Sequence, residues 1–447
     1  MIIVIGAGPA GLAAAEAASR NGSEVALIDS SSRLGGQYWR HRTNVTGYRS
    51  HRADEIFAKV SAAQSITHIS EANVWSAERE GNLVRVNYLQ GGIESSLTAE
   101  KVIIATGAYD RTLPFPGWDT PGSMTPGAAQ SLLKGQGVLA GKRIIVAGTG
   151  PFLLPVATGL AEAGAEIVGL IDANSPLRWS LSPLALLTNI AKFSELVYYA
   201  RLIRKFRIRP QFGRAVTAFT DGVATISSVN SRFHIKSGKA QTMRADVVAV
   251  GWGFVPDLSL GGILGCAQRV DSDGTVIFDV DENQMSSQPQ IWIAGEATGI
   301  GGADLSLIEG EIAGLAASGQ KIKHALLRER VRKQRFADAL KRSYPVRDGW
   351  RQWITSNTTI CRCEEVKSQE IRDSVCELGA EDSRTSKLFT RAGMGLCQGR
   401  MCSRNVSEIV SGITQCAVTD GERIAASNRP IAAPISLGQL SDGKNSR

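Results

Sequence analysis

Cys361 and Cys363 read C-R-C, and Cys397 and Cys402 read C-Q-G-R-M-C. Thiolates are soft donors suited to iron–sulfur clusters, zinc or copper. Two close pairs separated by 33 residues can fold into one four-thiolate site. On spacing alone, a structural zinc ion and a two-iron cluster both stay open. Arg391 and Arg400 can offset the negative charge of thiolate-bound metal, and Gly393, Gly395 and Gly399 can bring backbone amides close to it. Cys376 sits within a helical pattern between the pairs, where a small core residue is expected. Cys266 and Cys416 have no visible partner and are assigned no chemistry.

The opposite end of the chain carries a second kind of chemistry. The apolar run MIIVI leads into Gly6-Ala7-Gly8-Pro9-Ala10-Gly11, followed by the alanine-rich segment LAAAEAASR and a second apolar run, EVALI, ending at Asp29. This is the strand–loop–helix–strand plan of a dinucleotide site. Gly6 permits the tight turn, Gly8 lets amides approach a pyrophosphate, and Gly11 permits close helix–strand packing. The helix N-terminus adds a favourable field for phosphate, and Asp29 stands where a ribose hydroxyl can donate to it. Gly35, Gly36 and Gln37, in L-G-G-Q, form a further backbone approach to the ligand, with a surface turn as the alternative. The strand KVIIATGA ends in Ala105-Thr106-Gly107, small enough to pass beneath a cofactor, or simply a buried strand with a tight exit. A later strand, IWIAG, delivers Gly295 and Glu296 to the same region. Glu296 would be repelled by a diphosphate but can accept from a ribityl hydroxyl. Asp304 is expected to cap the helix that follows.

The plan repeats in KRIIVAGTGPFLLPVATGLAEAGAEIVGLID. Gly148 and Gly150 keep two of the three glycines, but Leu153 holds the third position, and Asp172 lies near the acceptor position. A second nucleotide there and a retained scaffold without one both stay open. The strand-like segments AVTAFT, VATISSV and RFHIKS complete this region, and RLIRKFRIRPQFGR before them, with six bases and no acid, reads as a solvated insertion or an interface.

The chain has 447 residues, 43% of them hydrophobic and 21% charged, which suits a multidomain globular α/β protein. The seven cysteines do not form a secreted disulfide framework, so a reducing cytoplasm is expected. The apolar start runs straight into the first glycine loop, so no signal peptide is expected. Contact with a membrane is expected only from its inner surface or through a partner. Gln320–Trp353 carries eleven Lys/Arg against three acids, and much of it reads as a helix before Tyr344-Pro345. A solvated connecting helix is the plain reading; a basic face for a partner, acidic lipid or electron acceptor is the other. No recognition module accompanies this charge, so no nucleic acid is expected.

Several of these pieces also carry a family resemblance. GAGPAG, LGGQ, ATGAYDRTLPFPGWDTPG and AGEATGIGGADLSLIEG resemble the flavoprotein disulfide-reductase superfamily with its two dinucleotide domains. The third is similar to the A-type subunits of bacterial opine oxidases, with the B-type hydrogen cyanide synthase subunits and dye-linked proline or hydroxyproline dehydrogenase subunits as relatives. ICRCEEV and TRAGMGLCQGRMC resemble the [2Fe-2S] domain of bacterioferritin-associated ferredoxin. The resemblance implies an α/β fold with two Rossmann-like domains and a small C-terminal [2Fe-2S] domain. It implies FAD in a split first domain, residues 1–117 and 283–318, and an inserted domain at 118–282. A basic helical linker at 319–354 would then lead to the cluster domain at 355–415 and a surface tail at 416–447. It further implies a heteromeric complex in which an amino-acid-oxidase-like B-type (beta) subunit holds the amine or opine substrate. This chain would relay electrons to a quinone or dye-like acceptor in opine catabolism, or serve as a non-catalytic electron-transfer or assembly subunit. No C-x-x-C pair exists anywhere in the chain, so thiol–disulfide reduction is not expected, and the residues name no catalytic base.

Overall fold

The computed structural model describes residues 1–42, 51–176, 178, 190–238 and 240–442. The chain forms two compact units. One contains residues 1–109, 255–337 and 427–447, the other 110–254 and 338–426. No helix among the described residues is long and apolar enough to cross a membrane.

The first unit is built on a five-stranded parallel sheet, in the order Ile291–Ile293, Lys101–Ile104, Ile2–Ile5, Val25–Ile28 and Ile66–Ile69. Its central strands are buried on both faces, which is why they read as unbroken apolar runs rather than alternating ones. The alanine-rich helix Pro9–Arg20 covers one face and packs against the helix Ala303–Ala317. A Cβ on Gly310 would strike the Ala10 carbonyl, so only small residues let these two backbones approach so closely. An antiparallel meander, Ala72–Glu80, Leu83–Gln90 and Ile93–Ala99, completes the unit.

The second unit repeats the parallel sheet, in the order Pro210–Phe212, Glu166–Asp172, Arg143–Gly148, Val247–Gly251 and Ser123–Met124. One face is covered by Pro126–Gln136 and Leu153–Glu162. On the other lie an antiparallel three-stranded sheet and the cysteine-bearing segment. That segment comprises the short strands Thr359–Cys361 and Val366–Lys367 and the helices Ser368–Cys376, Ser383–Thr390 and Ser403–Thr414.

The boundaries differ from those expected. The inserted unit runs from Asp110 to Phe254, not from 118 to 282. Leu113 and Phe115 already pack in its core, whereas Leu258, Leu260, Leu264 and Phe278 pack with Ile3, Ile5 and Val102 of the first unit. The expected linker is a helix, His324–Ser343, whose residues divide between the units at Ala337. Beyond it, Trp350 and Trp353 are core residues of the second unit, so the small C-terminal cysteine domain packs into that unit instead of hanging on a solvated tether. The Trp353 indole donates to the Phe233 carbonyl at 3.0 Å, and its ring lies 5.4 Å from that of Trp252.

RLIRKFRIRPQFGR is no insertion either. It ends the helix Ile190–Lys205 and forms the edge strand Pro210–Phe212, with Leu202 and Ile208 buried. RFHIKS does not form the third strand of the small sheet; Gln241–Arg244 does. The Asn230 side chain accepts from the amides of Arg232 and His234 and bends the segment so that Phe233 is fully buried. The tail forms no long helix but two short ones, Asp420–Ser427 and Leu437–Asp442, and residues 443–447 lie outside the described residues.

Candidate functional site

The first glycine loop lies at the C-terminal edge of the first parallel sheet, where such sheets receive ligands. Pro9 opens the helix, as a residue with no amide hydrogen to satisfy can. A Cβ on Gly11 would strike the Gly6 carbonyl, so the helix sits hard against the loop. Above Gly8, in contrast, a Cβ would meet nothing within 4 Å: the loop backbone faces open space there. The Gly35 amide donates to the Ala7 carbonyl at 2.8 Å, and Gly36 lies against the Gly8 backbone. Gln37 is exposed beside them.

Asp29 is buried at the end of the second strand. Its Oδ2 accepts from the Ala7 amide at 2.6 Å and its Oδ1 from the Ser31 amide at 2.7 Å. A carboxylate has about four lone-pair sites, so two remain for a further donor. The Ala105 amide donates to the Ile5 carbonyl at 2.8 Å, placing Ala105, Thr106 and Gly107 beside the first strand. The Thr106 hydroxyl is used locally, donating to the Asp257 carbonyl at 2.9 Å, and the Asp257 amide returns to the Gly107 carbonyl at 2.9 Å.

Gly295 lies against Ala10 of the first helix, so the return segment meets the first loop as its position in the chain required. Glu296 Oε1 accepts from the Gly302 amide at 2.8 Å, and Gly302, not Asp304, is the N-cap of the following helix. Asp304 stands in the first turn and pairs with Lys333 and Arg52 at 3.4 Å. A residue with no sequence signal controls this loop. Glu309 is buried; its Oε2 accepts from the Gly295 amide at 3.0 Å and the Thr298 hydroxyl at 3.1 Å. Burial pushes its carboxyl up, opposed by Arg330 from the basic helix, 3.6 Å from its other oxygen. Arg330 also meets buried Gln284, whose amide oxygen accepts from Nε at 2.9 Å in the orientation its neighbours require.

The second glycine loop is arranged differently. Its helix begins only at Leu153, so the residue in the third-glycine position opens the helix instead of lying inside its first turn. That is why a leucine fits there. Asp172 Oδ1 accepts from the Asn174 amide at 2.8 Å and the Thr149 hydroxyl at 3.2 Å, and Oδ2 from the Gly150 amide at 3.3 Å. The Asn174 amide group then donates to Thr149 Oγ1 at 2.7 Å and to the Pro345 carbonyl at 3.1 Å. Burial pushes the Asp172 carboxyl up to about 6. Gly148 and Gly150 are thus brought to the same sheet edge, but their acid is closed in by its own loop.

The four cysteines are brought together by a hairpin and a helix start. Cys361 ends a strand and is buried, Cys363 is exposed in the turn after it, Cys397 is half-buried, and buried Cys402 precedes the helix Ser403–Thr414. Cys402 lies beside Cys361 and Cys397 beside Cys363, so each pair joins one cysteine from each motif. The Cys402 contact draws the Cys361 thiol down to about 5, helped by the Gly393 amide at 3.4 Å from its sulfur; the Cys402 thiol is pushed up by the same contact. A Cβ on Gly395 would strike the Cys363 side chain, so the loop closes on the sulfur set only with glycine there. Among the described residues, no three His, Cys, Asp or Glu side chains gather as the donor set of a single ion. Four thiolates in two pairs fit a two-iron cluster, two to each iron. Cys376, expected in the core, is exposed at the end of its helix, and Cys416 is exposed too. Cys266 is buried, its thiol donating to Ser286 Oγ at 3.4 Å.

Glu408 fastens this segment to the rest of the second unit. Burial alone would raise its carboxyl, but Arg111 and Arg404 outweigh it and hold the carboxyl below its usual value. The Trp350 indole donates to its Oε2 at 3.1 Å, and Arg111 and Arg404 reach Oε1 at 3.3 and 2.9 Å.

Comparison with known proteins agrees with this geometry. The family described as pyridine nucleotide-disulphide oxidoreductase matches residues 1–316, and the BFD-like [2Fe-2S] binding domain matches residues 359–411. The chain is 32% identical to the A-type opine oxidase subunit of Agrobacterium tumefaciens, over 92% of this chain and 85% of that protein. It is 30% identical to hydrogen cyanide synthase subunit HcnB of Pseudomonas protegens, over 90% of this chain and 89% of that one. In fold it is similar to L-proline dehydrogenase from P. horikoshii, with a TM-score of 0.67 and 19% identity, covering 98% of this chain and 78% of that one. The opine oxidase relatives are each one subunit of a larger enzyme, which implies that a partner exists for this chain. The chain thus belongs to the pyridine nucleotide-disulphide oxidoreductase family, among the A-type opine oxidase subunits, and is a FAD- and [2Fe-2S]-containing oxidoreductase subunit.

Proposed function

We propose that this chain is the electron-relaying subunit of a heteromeric amine dehydrogenase acting on opines, in a cytoplasmic complex. One observation carries the reading: a dinucleotide loop open above Gly8 and a two-pair thiolate set occur on one chain that has no C-x-x-C pair. FAD supplies two-electron and the [2Fe-2S] cluster one-electron redox capacity when bound. Gly6, Gly8, Pro9, Ala10 and Gly11 would bind the pyrophosphate, and Asp29 a ribose hydroxyl. Gly35, Gly36, Gln37, Ala105, Thr106 and Gly107 would form the walls. Gly295 would face the cofactor with its orientation set by Glu309, and Glu296 would accept from a ribityl hydroxyl. Cys361, Cys363, Cys397 and Cys402 would hold the cluster. Gly148 and Gly150 serve as scaffold in this reading, because the groups that would meet a second nucleotide already satisfy one another.

In the overall reaction, the secondary amine of an opine such as octopine or nopaline loses two electrons and two protons. Water adds to the imine, and its C–N bond breaks to give an amino acid and a 2-oxo acid. The amine is held by an amino-acid-oxidase-like B-type partner, and the electrons leave to a quinone or other acceptor. The test is the co-purified complex kept anaerobic: octopine or nopaline should bleach its visible spectrum and yield those two products. Rapid NAD(P)H oxidation by the isolated chain would overturn the reading. The similarity to HcnB favours one second reading, oxidation of glycine to hydrogen cyanide, in which case glycine alone bleaches the complex.

A further inference from the structure

Within the second unit, the helices Ser368–Cys376 and Ser403–Thr414 and the helical turn Asp348–Gln352 border a cleft of about 340 Å³. That lies at the lower end of the range of small-molecule sites, roughly 300–1,000 Å³. Neither the glycine loops nor the four cysteines line it. Its floor is apolar. Ile409 and Ile413 stand one turn apart on the longer helix, and Ile354 adjoins them from the segment after the turn. The walls are held by internal bonds. The Arg351 guanidinium donates to the Asp348 carboxylate at 3.0 Å and to the Glu408 carbonyl at 2.8 Å, and its Nε to the Asp348 carbonyl at 3.2 Å. It lies across Gly412, where a Cβ would strike it. The Gly349 amide donates to the Arg232 carbonyl at 3.0 Å, and a Cβ there would strike His234. On the far side, the Ser368 and Gln369 amides donate to the Thr358 and Ser356 carbonyls at 2.8 and 3.0 Å.

The polar groups facing this floor are mostly donors left over from that bonding. Asp348 is the acid that lines the cleft, and Arg351 pairs with it. Glu370 and Asp373, on the same helix as Ser368 but outside the lining, accept from the Lys367 amide at 2.7 Å and the Gln369 side chain at 2.6 Å. Arg372 lines the cleft, is exposed, and has no ion-pair or hydrogen-bond partner among the described residues. Ser368 stands one turn before it on the same helix face. Ser368 is only 9% exposed, yet its hydroxyl has no hydrogen-bond partner among the described residues. The Ser356 hydroxyl and the His234 imidazole, which complete the rim, are likewise without one. A buried hydroxyl is ordinarily bonded, and one that opens into a cleft beside an unopposed guanidinium is arranged for an oxyanion.

We propose that this cleft binds a small organic carboxylate, with its oxygens on Arg372 and the Ser368 hydroxyl and its aliphatic body on Ile354, Ile409 and Ile413. One unopposed cation suits a monoanion, and the apolar floor suits an organic one. Two of the bordering helices belong to the cysteine-bearing segment, while His234 and Arg351 belong to the rest of the unit. A bound carboxylate therefore bridges the two and raises the stability of their packing. The site is an effector site, and it stands or falls independently of the amine that the complex oxidises.

The experiment uses the full chain with its cofactors bound, in phosphate-free buffer. The probe is radiolabelled isobutyrate in equilibrium dialysis, with isobutyramide as the uncharged analogue and inorganic phosphate as the other oxyanion. Saturable uptake of one isobutyrate per chain at about millimolar concentration is expected, with a matching rise in the denaturant midpoint of the second unit. Arg372→Gln should weaken binding about tenfold or more, and Ser368→Ala about fivefold. Isobutyramide should compete poorly, and so should phosphate. Iron, sulfide and flavin should stay at wild-type levels in both variants, which separates binding from folding. Uptake that never saturates, or wild-type affinity in Arg372→Gln, would overturn the site. Isobutyramide competing as well as isobutyrate would overturn the role of the charge, and phosphate binding as tightly would overturn the choice of a carboxylate.

Discussion

The Trp118 indole donates to the Thr359 carbonyl at 2.6 Å, across 241 residues of chain. It joins the start of the inserted unit to the strand that delivers Cys361. Both partners are buried, so neither can exchange this bond for water. Trp118→Phe keeps most of the ring volume and removes the donor, which leaves a buried carbonyl unsatisfied at a cost of about 2 kcal/mol. The expected outcome is a lower denaturant midpoint for the second unit and earlier loss of the visible cluster absorption on heating. Flavin content should be unchanged. Loss of flavin with an undisturbed cluster would show that the bond does not support the cysteine strand.

Arg330 offers a matching test in the first unit. Glu309 is buried, and the guanidinium is its counter-charge. Arg330→Met keeps the aliphatic stem and strands the carboxylate, at roughly 3 kcal/mol. Because Glu309 also holds the Gly295 amide, the loop beside the first helix should loosen. Flavin should dissociate at least tenfold more readily from the variant by fluorescence, and Arg330→Lys should recover part of the loss. Unaltered flavin affinity in Arg330→Met would rule out this positioning role.

Asp172 gives a pH dependence of defined direction. Its carboxyl stands at about 6 in the folded chain against an ordinary 3.8, because it is buried. The native state therefore holds a proton between these values that the unfolded chain has released. The stability tied to this group is fully present below about pH 4 and is lost as pH rises through 6. The difference is about 3 kcal/mol, from roughly two units at 1.4 kcal/mol each. Asp172→Asn should be less stable than the wild type at pH 4, since Asn cannot accept from all three donors. It should close that gap by about this amount at pH 7. Parallel unfolding curves for the two proteins across this range would contradict the buried, proton-holding carboxyl.

Much of this arrangement is legible in the sequence because its chemistry is local. Gly6 to Asp29 is a complete strand–loop–helix–strand unit, and the cysteine pairs each lie within a few residues. What is not legible depends on distant contacts. Nothing near Trp350 and Trp353 shows that they fill a core with Phe233 and Trp252, so the basic run before them reads as a solvated linker. Basic density likewise disguises Pro210–Phe212 as an insertion, although an edge strand tolerates such neighbours. The helical phase of Cys376 suggests burial, but the helix turns that face outward. Glu309 gives no signal because a buried acid inside LSLIEGEIAG looks like any helical glutamate until Gly295 and Arg330 are seen around it.

The central claim is that four thiolates in two pairs hold a [2Fe-2S] cluster on a chain that also binds FAD. Iron, acid-labile sulfide, zinc and flavin counted together on anaerobically purified protein test it most directly. The expected result is about two irons and two sulfides per chain with one FAD, and an EPR signal on chemical reduction. Cys397→Ser should lose the iron and sulfide while keeping the FAD. Stoichiometric zinc without iron or sulfide, or a Cys397→Ser protein with its cluster undiminished, would contradict the account.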